Sequence, residues 1–279
     1  MSKQALSQRL MSLPASLFLE MFEQLVNRLK EKPNPTLALQ NWQQEIHQRW
    51  SAVWIADGST LERLQRHLGQ LQGQPQNPLA GKMMMVVEVF SHRRVAAWYD
   101  CNAQRSEMTW WQELLELLPS GGLVVIDLGF FGFEWFDAMS AARKYFLTRQ
   151  KQKVGYKVVK TLSCGRYYRD EIIQMGLHHT HPCRSQVRQV SVLWGKTWHR
   201  YLTNILDPQM LSAPQVCQLY HCRWQIEDAF LLTKRLLGLA YLWVGGRNGV
   251  QIQLYPSSVT LRNQDIRKIA ILATTIIRK

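Results

Sequence analysis

The run LVVI at residues 123–126, followed at once by Asp127, constrains the fold of this chain more than any other feature. Four residues are too few for a helix, and a fully apolar run of this length is typical of a strand buried on both faces. The preceding segment, 106–122, begins with Ser106, which suits a helix N-cap, and ends in a proline and two glycines. It therefore predicts a helix whose start and end are both marked in the sequence, followed by a buried strand.

Strands and helices alternate along most of the chain. The patterns predict a helical region at 1–50, a strand at 52–56, a hairpin at 82–100, a helix at 133–144 and a strand at 145–149. Short antiparallel strands are predicted between residues 157 and 206, before a late helix. This order indicates an α/β fold with a mixed sheet.

Basic residues are concentrated in one part of the chain. The chain has 34 Lys and Arg against 20 Asp and Glu, a formal charge of +14. Residues 141–200 hold thirteen of the bases and two acids, Asp170 and Glu171, so +11 of the +14 lies there. Aromatic residues alternate with these bases, which suits phosphate contacts and stacking on unpaired nucleobases. A solvated basic surface over core aromatics is the alternative.

The composition disfavours several classes of protein. Apolar runs such as 83–90 are far shorter than the roughly 20 residues of a membrane-spanning helix. Glu20 and Glu23 interrupt the apolar block that a signal peptide needs, so we expect a cytoplasmic location. The five cysteines contain no C-x-x-C pair, which predicts neither a disulfide framework nor a standard zinc site.

Two aspartates follow predicted strands at corresponding places. Asp57 comes after the strand at 52–56, and Asp127 comes after the strand at 123–126. In open α/β sheets the carboxyl ends of strands carry ligands and catalytic groups, so the two side chains can meet if their strands are neighbours. The alternative is an Asp-Gly or Asp-x-Gly turn that exists for backbone reasons.

Four polar residues of the segment LYHCRWQIEDAFLLTK, 219–234, share one face of a predicted helix. At 100° per residue, Tyr220, Arg223, Glu227 and Lys234 fall within about 60°. An exposed salt bridge between Arg223 and Glu227 would explain part of this stripe. Its flanks are strongly apolar, however, and a carboxylate on a mostly buried helix needs partners, such as a hard cation shared with the two aspartates.

The spacing Y-x2-R-x3-E-x6-K of these four residues resembles the signature of bacterial insertion-sequence transposases of the DDE class that carry a Y-R-E-K motif. The resemblance extends to ADGST around Asp57, to IDLGFF around Asp127 and to YLTNIL at 201–206, and covers about residues 50 to 255. It implies a ribonuclease H-like mixed sheet flanked by helices, with an inserted antiparallel β region before the catalytic Glu helix.

The resemblance and the pattern together predict a division into domains. Residues 1–50 would be an N-terminal helical region that acts as a reduced DNA-binding part. Residues 51–156 and 207–245 would form the ribonuclease H-like catalytic core, and 157–206 the inserted β region. The tail at 246–279 breaks the apolar pattern, and a truncated end is left open.

The resemblance implies a metal site made of carboxylates. Asp57, Asp127 and Glu227 would be the catalytic residues and the ligands of two Mg²⁺ ions, for which Mn²⁺ can substitute. Mg²⁺ prefers oxygen ligands, which explains why no His or Cys is needed.

The resemblance also implies contacts with DNA. Tyr220, Arg223 and Lys234 would contact phosphates of the element end beside the cut, a role that suits the bidentate fork of an arginine. Trp194 and Trp198 are candidates for stacking on a displaced nucleobase, with core packing as an equal alternative.

The implied function is metal-dependent cleavage and strand transfer of insertion-sequence ends by a DNA transposase. Its partners would be the inverted-repeat ends of its own element and target DNA, bound by a homodimer at the bacterial nucleoid. The alternative is a truncated, catalytically inactive DNA-binding remnant, because only 56 residues precede Asp57 and 52 follow Glu227. A nuclease that cuts without joining strands is a third hypothesis.

Overall fold

The structure is a computed structural model of the chain. It describes residues 40–60, 81–91, 93–100, 102, 104–224, 226 and 227, with isolated positions between 13 and 24. The strands are β1 Val53–Thr60, β2 Lys82–Glu88, β3 Arg94–Asp100, β4 Leu123–Ile126, β5 Tyr145–Arg149, β6 Tyr156–Cys164, β7 Tyr168–Met175, β8 Val187–Trp194 and β9 Thr197–Thr203. The helices are α1 Asn41–Arg49, α2 Trp111–Leu117, α3 Phe133–Ala141 and α4 Ala213–Cys222, with short 3-10 helices at Glu107–Trp110 and Leu128–Phe130.

The nine strands in the described residues form one mixed sheet in the order β3-β2-β1-β4-β5-β9-β8-β7-β6. Strands β1, β4 and β5 are parallel to one another, and the remaining neighbours are antiparallel. The predicted hairpin is β2 and β3, and the predicted buried strand is β4, whose four residues are fully buried. The predicted α/β, ribonuclease H-like fold class is therefore confirmed.

The inserted β region extends the same sheet. Strands β6 to β9 form an antiparallel meander, and β9 pairs antiparallel with β5 through Leu147↔Thr203 and Arg149↔Tyr201. Strand β5 would otherwise be the edge of the five-stranded part formed by β3, β2, β1, β4 and β5. The further strands cover this edge and satisfy its backbone hydrogen bonds. The division of the chain into domains stays a prediction.

Helices cover both faces of the sheet. Helices α1 and α4 pack on one face, around Ile46, Val125 and Leu219, and we call this the α4 face. Helices α2 and α3 pack on the other, around Leu114 and Trp135, and we call this the α2–α3 face. Two separate apolar cores result, one on each side of β4.

A buried ion pair ties the inserted strands to the start of α4. Arg188 on β8 donates from Nε and Nη2 to the two carboxylate oxygens of Asp170 on β7, at 2.7 and 2.6 Å. Its Nη1 donates to the carbonyl oxygen of Leu211, directly before the N-cap of α4. One acid and one base of the basic stretch are therefore paired internally, and its net charge of +11 is unchanged by this pair.

Some predictions lie outside this description. Most of residues 1–39, Lys234 and the tail at 246–279 do not belong to the described residues. In the described part of the chain, no helix combines the length and the apolar character needed to cross a membrane.

Candidate active site

The parallel pairing of β1 with β4 brings the two predicted aspartates side by side. The last pair in this register is Ala56↔Ile126, and Asp57 and Asp127 are the next residues on the two chains. Side chains alternate along a strand, and Ile55 and Val125 belong to the core of the α4 face. Both carboxylates therefore stand on the α4 face, beyond the end of that core.

The two aspartates have different backbone settings. Strand β1 does not end before Asp57 but continues to Thr60, because β2 goes on pairing through Ser59↔Met83 and Thr60↔Lys82. The expectation of a turn after residue 56 is thus wrong. Asp127 does begin a 3-10 turn at Leu128–Phe130, but its side chain makes no capping hydrogen bond.

Helix α4 has a well-defined start, and its last turn faces the aspartates. Ser212 is the N-cap, and its side chain accepts a hydrogen bond from the backbone N–H of Gln215. In return, the side-chain oxygen of Gln215 accepts a hydrogen bond from the backbone N–H of Ser212. After Cys222 the chain tightens, since the N–H groups of Ile226 and Glu227 donate to carbonyls three residues back. The predicted residues Tyr220, Arg223 and Glu227 nevertheless remain on the side of the aspartates.

Tyr220 contacts the second aspartate. Its hydroxyl donates to Asp127 Oδ1 at 3.2 Å, and its ring lies 5.0 Å from that of Tyr201 on β9. Burial, with the negative charge of Asp127, raises the pKa of Tyr220 above its ordinary value of 10.0. Tyr220 therefore stays a neutral donor that orients the Asp127 carboxylate.

Arg223 links the first aspartate to the glutamate. Its Nη1 donates to Asp57 Oδ2 at 2.7 Å and its Nη2 to Glu227 Oε1 at 3.3 Å. Burial alone would lower the pKa of Arg223, but the charges of Asp57 and Asp127 outweigh it and raise this pKa. Arg223 is 6% exposed, and its Nε has no hydrogen-bond partner among the described residues. A permanent positive charge therefore lies between two of the predicted ligands.

Asp57 is the most perturbed carboxyl group of the site. Burial is the largest cause that raises its pKa to about 7, and the negative charges of Glu107 and Asp127 add to this effect. Arg223 and the N–H of Gly58 act in the opposite direction. Asp57 is thus a carboxylate whose ionisation a further cation would favour.

Glu227 is the least enclosed of the three predicted ligands. Its side chain is 47% exposed and meets Asp57 only through the shared guanidinium. Among the described residues, no three carboxylate, His or Cys groups are close enough to hold a metal ion. The structure thus places Asp57 and Asp127 together, and Glu227 beside them across Arg223.

The two predicted stacking tryptophans lie on opposite faces of the sheet. Leu193 pairs with Trp198 and Trp194 with Thr197, so the side chains of Trp194 and Trp198 alternate. Trp194 is 77% exposed, at the tip of the β8–β9 hairpin on the α4 face, where the aspartates lie. Trp198 is half-buried on the α2–α3 face under Arg169, whose Cζ lies 5.6 Å from the ring.

A fourth carboxylate at this site was missed by the sequence analysis. Glu107 forms a 3.0 Å ion pair with Lys82 of β2, and its carboxylate lies against Gly58 and Gly129. These glycines follow the two aspartates by one and two residues. They were interpreted as turn formers, but neither has a positive φ. A glycine shortly after each aspartate is the only sign in the sequence that space is needed there. The sequence does not indicate that Glu107 fills this space.

The fold and these side chains define a class of protein before any comparison. A ribonuclease H-like mixed sheet carries two adjacent aspartates at its parallel strands, with Arg223 and Glu227 opposite them in the segment that follows α4. A family described as Transposase DDE domain matches residues 53–256, and the chain belongs to this family of DDE transposases.

A curated relative agrees with this assignment. The chain is 24% identical over 151 residues to "Putative transposase y4zB" of Sinorhizobium fredii (strain NBRC 101917 / NGR234). The match covers 51% of this chain and 41% of that protein, so it spans less than half of the relative.

Proposed function

We propose that the chain is a DNA transposase that cleaves and joins the ends of its own insertion sequence in a metal-dependent reaction. The observation that carries the proposal is the register of β1 with β4, which sets Asp57 beside Asp127, with Arg223 directly after α4 bridging Asp57 and Glu227. Membership of the DDE transposase family supports the same reaction class.

The donor atoms of the proposed ligands suit the metal that such a reaction needs. Asp57, Asp127 and Glu227 offer only oxygen donors, which suit Mg²⁺ and also Mn²⁺. Two such ions would activate the attacking oxygen and stabilise the leaving oxygen of a DNA phosphodiester. We propose these three carboxylates as the ligands, with Asp57 losing its proton when a cation binds, because that cation lowers its pKa.

The remaining residues hold the ligands and the DNA. Tyr220 keeps Asp127 in one orientation through its hydroxyl hydrogen bond. Arg223 has a fork geometry that suits a phosphate as well as a carboxylate. One of its N–H groups can therefore donate to a phosphate of the DNA backbone instead of to a carboxylate. Lys234 keeps its predicted phosphate role as a proposal. Trp194 is the stacking candidate that stands on the same face as the aspartates.

DNA is the partner that the surface supports. In residues 149–200 the bases on the strands and loops are exposed, apart from Arg188, and include Lys151, Lys157, Lys160, Arg166, Arg169 and Arg200. Such a surface collects phosphate contacts. We propose that it binds the inverted-repeat ends and target DNA, with two copies acting on paired ends in the nucleoid.

The proposal is tested by incubating the full chain with DNA that carries the element ends, with and without Mg²⁺ or Mn²⁺. We expect metal-dependent nicking and joining that Asp57→Asn, Asp127→Asn and Glu227→Gln each reduce by at least about 10³-fold, as expected for loss of a group that acts in the transition state. Glu113→Gln, an exposed carboxylate on α2, is the matched control.

The other hypotheses give different results in the same assay. A DNA-binding remnant would bind these ends without cutting them under either metal. A plain nuclease would cut DNA of any sequence and would join no strands. Full activity in all three variants would contradict the assignment of the carboxylates.

A further inference from the structure

A concave site lies on the α2–α3 face of the inserted strands. In the register of β7, β8 and β9, Ser191 is opposite both Arg169 and Arg200. Its neighbour Val190 belongs to the core of the α4 face, so Ser191 and the two arginines point to the other side. One small side chain between two long ones leaves a cavity of about 240 Å³, with Trp198 as one of its walls.

The floor of this cavity is polar, although it is buried. Ser191 is 3% exposed and Gln189 is 1% exposed. The Ser191 hydroxyl donates to Gln189 Oε1 at 3.3 Å, and the Gln189 amide donates to Gln150 Oε1. A distance of 3.3 Å is long for a bond between two oxygens, and a serine hydroxyl rotates freely. A ligand that offers an acceptor oxygen can therefore take over the hydroxyl hydrogen of Ser191.

The two arginines at the rim have donors available for a ligand. Both are exposed, and neither has an ion pair or a side-chain hydrogen bond among the described residues. Arg169 contacts the ring of Trp198, which restrains its guanidinium. Glu171, the next residue of β7 on this face, balances only one of the two positive charges. The cavity therefore suits an anion with several acceptor oxygens, and a phosphate matches the fork of an arginine.

The size of the cavity favours a single small group. About 240 Å³ is below the roughly 300 to 1,000 Å³ of pockets that enclose a whole drug-sized ligand. Because both arginines are exposed at the rim, a group that belongs to a longer chain can enter from outside. One phosphodiester of a nucleic acid backbone fits this description.

The opposite face of the same strands has its own bases. Lys157 and Lys160 of β6 pair with the residues on either side of Ile173, which belongs to the core of the α2–α3 face. Both lysines therefore point to the α4 face, where the aspartates lie. Arg200 lies three strands in from β6, roughly 14 Å from that edge. Since DNA is stiff over about 150 base pairs, one duplex on the α4 face does not bend around the edge into the cavity.

We propose that this cavity binds one backbone phosphate of a second DNA segment, held on the α2–α3 face while the segment to be cut lies against the aspartates on the α4 face. Arg169 and Arg200 donate to the phosphate oxygens, and Ser191 adds a further hydrogen bond. This inference rests on the proposed function, in which the chain handles element ends and target DNA. It adds the place at which the second segment is held.

Counting the duplexes that each chain binds tests the inference without any measurement of cleavage. The full chain is titrated at low salt and without metal into a fluorescent duplex of roughly 12 base pairs, about 40 Å long. We expect about two duplexes for each wild-type chain and about one for Arg169→Gln/Arg200→Gln, because its α2–α3 face no longer neutralises a phosphate. Arg143→Gln is the control, since this exposed arginine lies at the other end of β5 from Arg200, and it should keep the wild-type count.

Ser191→Val separates a built site from a merely basic surface. The larger side chain fills the cavity without changing any charge, and a β-branched residue suits a strand. We expect this variant to bind about one duplex for each chain, as the double Gln variant does. A merely basic surface predicts the wild-type count for Ser191→Val, and that result would overturn the cavity as the site. If Ser191→Val does not fold, Ser191→Thr, which adds one methyl group to the cavity, replaces it with the same expectation.

The same titration distinguishes failure of this inference from failure of the proposed function. One count shared by the wild type, the double Gln variant and Ser191→Val would overturn the second DNA site, as would a cavity that takes only free phosphate. The proposed reaction on the α4 face would then still stand. Absence of any DNA binding by the wild type would overturn the DNA partner of the proposed function itself.

Discussion

At the scale of single residues, one cation among the described residues serves two carboxylates of the site. Arg223 is shared by Asp57 and Glu227, and it links the first and third predicted ligands. Asp57 keeps a pKa of about 7 even with this cation beside it, because burial outweighs the attraction. The ion pair is therefore present in full only above that pH.

Replacing Arg223 should make the stability of the protein depend more strongly on pH. The pKa of Asp57 is raised from 3.8 to about 7 on folding, so the folded state loses stability as pH rises through this range. Arg223→Gln raises the folded pKa further and extends the loss above pH 7. We expect the variant to be less stable than the wild type by about 3 kcal/mol at pH 8, and by less at pH 6.

Urea unfolding at both pH values measures this difference. Arg184→Gln, an exposed arginine, serves as the control and should change stability by no more than about 0.5 kcal/mol. An equal loss for Arg223→Gln at pH 6 and pH 8 would show that Asp57 is not its partner.

At the scale of secondary-structure elements, the inserted strands have several attachments, two of which join them to β5 and to the start of α4. Backbone pairing of β9 with β5 is one, and the pair Arg188–Asp170, with its bond to Leu211, is the other. The second attachment fixes the chain just before the N-cap of α4. It therefore couples the basic β surface to the helix that carries Tyr220 and Arg223.

Removing one charge of the pair Arg188–Asp170 should lower the free energy of unfolding more than replacing both residues by apolar ones. Arg188→Met leaves the Asp170 carboxylate buried and unpaired, and we expect a loss of about 3 to 5 kcal/mol in the free energy of unfolding. The double variant Arg188→Met/Asp170→Leu removes both charges and should recover most of that loss. Equilibrium unfolding of the two variants measures the difference, and a double variant as unstable as the single one would contradict this role.

Local patterns predicted the elements, but not the contacts between distant elements. The apolar run of β4 needed only its own sequence to be recognised. The pairing of β1 with β4, which sets Asp57 beside Asp127, was predicted only as a condition, because it joins strands that are distant in the chain. The extent of β1 depended on β2, whose pairing carries the strand past Asp57 to Thr60. Glu107 could not be predicted as part of the site, because its contact with Gly58 joins residues that no local period relates.

At the scale of the whole molecule, the charge is asymmetric. One half of the sheet carries the carboxylates, and the other half carries exposed bases on β6 and the neighbouring strands. The first part suits cations and the second suits the DNA backbone. Continuity of the sheet from β1 to β6 means that DNA bound to the basic half can extend towards the carboxylates.

The salt dependence of DNA binding should report on the basic half. Replacing Lys157 and Lys160 of β6 by Gln is expected to reduce the slope of log K against log salt by about 0.9 for each lost phosphate contact. Replacing both by Arg keeps the charge and is the matched control, for which we expect the wild-type slope. An unchanged slope in the Gln variant would place the DNA on another surface.

The central claim is that Asp57 and Asp127 together form a metal site at the parallel strand ends. Anomalous diffraction from crystals grown with Mn²⁺ tests it most directly. We expect an anomalous peak in contact with carboxylate oxygens of both aspartates, and loss of that peak in Asp127→Asn. A Mn²⁺ peak elsewhere on the chain, with none between these two carboxylates, would contradict it.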